Sequence, residues 1–87
     1  MTELLRRINE ELRKEYDLVT INGREFFVTP NRQYFRTDEF SETGSIVIEY
    51  GNNEEEARNG WLEDGDVFPR TLPFAQLMSE LKNEINS

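Results

Sequence analysis

An α+β fold with an antiparallel sheet follows from three features of this sequence. An apolar stripe at helical spacing lies near each end, an Asn-Gly turn separates two apolar runs, and further β-rich runs fill the middle. Eighty-seven residues are too few for two independent cores, so residues 1–87 are read as one small globular domain. Such a short chain buries only about 60–65% of its unfolded surface. Six Phe, three Tyr and one Trp therefore matter, because each ring buries a large apolar area.

Residues 3–16 predict the first helix. Leu4, Leu5, Ile8, Leu12 and Tyr16 recur at mostly three- and four-residue spacing, with charges between them. Thr2 is the expected N-cap, and Glu10 with Lys14 an expected i, i+4 pair. Asn22-Gly23 then predicts a two-residue type I′ hairpin joining Leu18-Val19-Thr20-Ile21 to Arg24-Glu25-Phe26-Phe27-Val28. In that register Val19, Ile21, Phe26 and Val28 share one face, the face expected to receive the helices.

Thr29-Pro30-Asn31-Arg32 reads as a turn, residues 33–37 as a third strand and residues 38–45 as a polar loop. Ser45-Ile46-Val47-Ile48-Glu49-Tyr50 has the strongest strand propensity. Asn53 with Glu56 forms a capping box for a short helix ending at Gly60. Residues 61–68 fit either a small hairpin on Asp64-Gly65 or an irregular loop. Pro73 opens a last helix with the stripe Phe74, Leu77, Met78, Leu81 and Ile85. The expected order is α-β-β-β-β-short α-α: three or four strands with both terminal helices on one face.

Charge is the feature that bears on function. Between Asp38 and Asp66 stand ten carboxylates and one base, a net of −9 within a chain whose total is −8. A field so localised attracts cations and basic surfaces and repels phosphate backbones, so nucleic acid is not an expected partner. Asp38, Glu39, Glu42, Glu54, Glu55, Glu56, Trp61, Glu63, Asp64 and Asp66 make up the candidate partner-binding set. Trp61 beside Leu62 has a second reading, as a core residue, and that one is favoured.

Catalysis is not expected. The chain has no histidine to activate Ser41, Ser45 or Ser79, no phosphate-binding Gly-rich loop, and no cysteine for a disulfide or thiolate metal site. No cofactor is expected. Asp64 and Asp66 could ligate a divalent cation through oxygen, but the EF-hand spacing fails around Gly60 and Gly65. The sequence has neither an apolar run of signal-peptide length nor one of membrane-span length, which points to a cytoplasmic protein.

In size, charge and lack of catalytic groups the chain resembles small acidic bacterial or phage proteins that act by occupying a partner. Immunity proteins that neutralise toxins are among them, as are inhibitors that mimic nucleic-acid charge. That resemblance implies a non-catalytic protein that binds a basic protein surface through residues 38–66. The alternatives are a divalent-cation-binding domain using the turn at residues 63–66, and a structural domain, monomeric or homodimeric, that would pair through the strand edge at residues 45–50.

Overall fold

A computed structural model describes residues 2–87. Its elements run α1 (Glu3–Arg13), β1 (Asp17–Ile21), β2 (Arg24–Val28), β3 (Tyr34–Glu39), β4 (Ile46–Gly51), α2 (Glu54–Asn59), β5 (Glu63–Phe68) and α3 (Phe74–Ile85). The five strands form one antiparallel sheet in sequence order.

Local chemistry sets the boundaries. Thr2 caps α1, its hydroxyl accepting the Leu5 N–H at 3.3 Å. α1 stops at Arg13, three residues before the predicted end, and Tyr16 still reaches the core from the following turn. On its outer face Lys14 pairs with Glu11 and Arg6 with Glu10, in place of the expected Glu10–Lys14 pair. The β1–β2 hairpin has the predicted register, Ile21 opposite Arg24 and Leu18 opposite Phe27. Asn22 and Gly23 both take positive φ, 52° and 79°, as a type I′ turn demands. Asn53 caps α2 by accepting the Glu56 N–H at 2.9 Å, and Glu56 in return accepts the Asn52 N–H at 3.0 Å. Gly60 ends α2 in the left-handed region at φ 72°.

The expected three or four strands are five. Residues 61–68 form neither a hairpin nor an irregular loop. Glu63–Phe68 is one strand, which pairs with β4 from Tyr50–Glu63 to Ile46–Phe68 and is interrupted by a register shift between Val47 and Glu49. Gly65, on the shifted stretch, has no room for a side chain: an added Cβ would meet the Glu84 carboxylate and lie 2.7 Å from the Tyr50 ring. β3 also runs two residues further than predicted, so Asp38 and Glu39 lie in a strand and not in a loop.

Both terminal helices pack on one face, but not the face expected. Their stripes meet Phe27, Phe35, Ile46, Ile48 and Phe68 in the larger core, with Tyr50 packed against it. Ile21 and Phe26 face the other way, into a second core with Tyr34 and Ala57, edged by Val19, Val28 and Leu62. Two consecutive Phe in β2 thus feed opposite cores. The α1/α3 side carries the larger apolar set, with Phe27, Phe35, Ile46, Ile48 and Phe68, and the small α2 covers the other face.

Candidate partner-binding surface

Strand alternation decides where the acidic segment points. Asp38 stands opposite Val47 and Glu39 opposite Ile46, so the two neighbours emerge on opposite faces. Glu39 lies on the helix side, where its carboxylate accepts the Thr2 hydroxyl at 2.9 Å. Asp38 lies on the α2 side. The structure therefore divides the candidate set instead of gathering it on one surface.

On the α2 side, Glu49 faces Arg36 on β3 and Asp64 on β5, and Asp38 completes the group one row on. Arg36 binds the Glu49 carboxylate at 3.3 Å and Asp38 at 3.7 Å. Burial raises the Glu49 pKa; Arg36 opposes that shift, and Asp38 and Asp64 add to it. Arg36 is thus the single cation among three carboxylates. Neither Arg36 nor Glu49 was singled out from sequence, although i, i+2 spacing in a strand would have placed Arg36 beside Asp38. The polar composition of residues 38–45 reads as a loop, which hides the alternation that β3 carries through to Glu39.

Glu54, Glu55 and Glu56 begin α2, where acids favour the positive helix end. Glu54 pairs with Arg58 at 2.8 Å, and Glu56 is used in the cap. Glu42 lies in the 40–45 loop beside Phe40, which is 43% exposed. Trp61 is 62% exposed, not buried as its neighbour Leu62 suggested. Leu62 takes the core position in its place, against Ala57 and Gly51.

β5 is the least compensated part of the acidic segment. Among the described residues Glu63, Asp64 and Asp66 form no ion pair. β5 is also an edge strand, with Val67 51% exposed on it. β4, the strand sequence reading offered as a dimerising edge, is flanked on both sides and has no free edge. No group of three or more acidic side chains among the described residues is arranged to hold a metal ion. No described helix is long and apolar enough to cross a membrane.

Behind β5, the Asp66 N–H donates to the Glu84 carboxylate of α3, which lies against Tyr50. Burial raises the Glu84 pKa; the hydrogen bond from the Asp66 amide opposes the shift, and the Asp66 charge adds to it. Burial beside Glu84 likewise raises the Tyr50 hydroxyl. A carboxyl raised in the folded state stabilises the fold below its ordinary pKa, and that contribution is lost as pH rises through the folded value. Melting temperature is therefore expected to rise as pH is lowered from 7 to about 5, the side from which raised carboxylates are approached. Glu84→Gln should melt higher than wild type at pH 7 and show a flatter profile. Superimposable profiles in a thermal melt series would remove Glu84 from this account.

No family model, curated protein or solved structure matches the chain. The surface must be read from its own chemistry.

Proposed function

We propose that this protein is a non-catalytic binding protein that occupies a basic protein surface, in the manner of an immunity protein or inhibitor acting in the cytoplasm. The observation that carries the reading is the β5 edge: exposed Val67 on the strand and exposed Trp61 just before it, in a segment whose carboxylates Glu63, Asp64 and Asp66 form no ion pair among the described residues, with Asp64 on the Glu49 side of the sheet and Glu63 on the Tyr50 side. An exposed Trp within an acidic segment has the composition of a binding hot spot with its polar rim. Asp38 and Glu49 extend the acidic area across the open sheet face, and Glu54–Glu56 border it from α2. Glu39, Glu42 and Glu63, which lie off this face, contribute only to the long-range field. A net charge of −8 then steers a cationic partner toward contact.

The test starts from affinity capture in native extract and proceeds with the purified pair. Association should slow at least about tenfold between low and high salt, as for electrostatically steered complexes. The combined change Glu63→Gln, Asp64→Asn, Asp66→Asn should slow it similarly at low salt. Trp61→Ala should speed dissociation about 30-fold, the equivalent of a 2 kcal/mol hot spot, and leave stability within about 0.5 kcal/mol of wild type. Salt-independent association, together with wild-type affinity in both variants, would refute the reading.

A further inference from the structure

The sheet has two outer strands, and they are built differently. β5 is guarded against pairing. Its ladder with β4 is bulged, it carries Glu63, Asp64 and Asp66, and the Asp66 N–H is taken by Glu84. β1 has none of these protections. Every residue from Asp17 to Ile21 is in regular register with β2, and its only charge is Asp17 at the start. Leu18 is 40% exposed, and Thr20, two residues on and on the same face, is exposed as well.

The turn decides which backbone groups of β1 are free. Ile21 and Arg24 close the two-residue Asn22-Gly23 turn and exchange hydrogen bonds with each other. By alternation Val19 and Asp17 also direct their N–H and C=O toward β2, while Leu18 and Thr20 direct theirs outward. No backbone hydrogen bond among the described residues reaches those outward groups. Regular, weakly charged and unpaired, β1 is a template for another strand.

We propose that β1 is the interface of a symmetric dimer, pairing antiparallel with β1 of a second copy. A register centred on Val19 sets Leu18 opposite Thr20 of the second copy, and Thr20 opposite its Leu18. All the outward groups then bond across the two-fold axis, and the two Val19 side chains meet in the closer, non-hydrogen-bonded position. Asp17 falls opposite Ile21 of the second copy, whose neighbour on the same row is Arg24. Asp17 and Arg24 form no ion pair among the described residues, so the row joins two uncompensated opposite charges. The wider charge distribution favours the same partner. Around β1, Asp17 and Glu25 are balanced by Arg13 and Arg24, whereas residues 38–66 carry −9. Joining through β1 leaves the two β5 strands at the far ends of one continuous sheet, roughly 40 Å apart at a strand spacing of about 4.8 Å. That is several Debye lengths at physiological salt. The seam lies away from the β5 surface and stands or falls without it.

The test is sedimentation equilibrium of the intact protein from ~5 µM to ~1 mM, with amide exchange followed by NMR. A single-strand seam is smaller than a standard interface, so a dimer with a dissociation constant near ~100 µM is expected. At ~1 mM the Leu18 and Thr20 amides should then exchange about fivefold more slowly than in dilute protein. Leu18→Lys with Thr20→Lys sets like charges opposite one another and should weaken dimerisation about tenfold or more. Leu18→Lys with Thr20→Glu sets opposite charges across the same seam and should restore it to within about threefold of wild type. Both side chains are exposed, so the two double variants retain the fold. A single-chain mass at every concentration, species larger than a dimer, dimerisation unchanged by the first double variant, or no recovery in the second would overturn the assignment.

Discussion

Phe35→Ala is expected to remove about 3–5 kcal/mol of stability, the range for a fully buried aromatic replaced by alanine. Phe35 has no exposed surface. Its ring centroid lies 5.2 Å from Tyr16 in edge-on contact, 5.3 Å from Phe27 in a stack, and 6.4 Å from Tyr50. Tyr16 follows α1 and the other two rings come from β2 and β4, so a single cavity would loosen four segments. A domain of this size has only about 4–13 kcal/mol in total. Each kcal/mol shifts melting by about 4–8 °C, so the variant should melt roughly 15–30 °C lower or fail to fold at 37 °C. Urea or thermal denaturation reads this directly. A loss below about 1 kcal/mol would show that the ring is not wedged as described.

Phe26→Ala should cost nearly as much, about 3–4 kcal/mol, but in a different part of the molecule. Phe26 is also fully buried, among Ile21, Tyr34 and Ala57 in the second core. α2 has six residues, too few to persist without the surface it packs on. Native-state hydrogen exchange should accordingly quicken first at residues 54–59 and in the β1–β2 hairpin, while α1 and α3 keep their protection. Phe35→Ala should show the converse, with α1 and α3 losing protection first. If both variants loosened the same amides, the two-core description would be wrong.

The elements that sequence reading placed well are those governed by local chemistry. The Asn22-Gly23 turn, the Thr2 cap, the Asn53–Glu56 capping box and the Gly60 stop each depend on a few adjacent residues. What it misplaced depends on partners distant in the chain. β5 has weak strand propensity, with Glu63, Asp64, Gly65 and Asp66 in succession, and forms because β4 offers an edge. The choice of sheet face for the helices turned on which of Phe26 and Phe27 met Phe35 across the sheet. The acidic segment was legible as composition but not as a surface. Alternation in β3 sends Asp38 and Glu39 apart, and Leu62 takes the core position while Trp61 stays outside.

Because every strand lies beside its neighbour in sequence, the sheet can grow by adding one hairpin after another, with little search between remote segments. The slow event is then the arrival of the last helix on the first. That docking is fastened at its far end by the Tyr16 hydroxyl donating to Asn86 at 3.1 Å and by Lys82 reaching Glu15 at 3.1 Å. Without α3 the meander would keep its larger apolar side wet, so cooperative folding waits for that helix to dock.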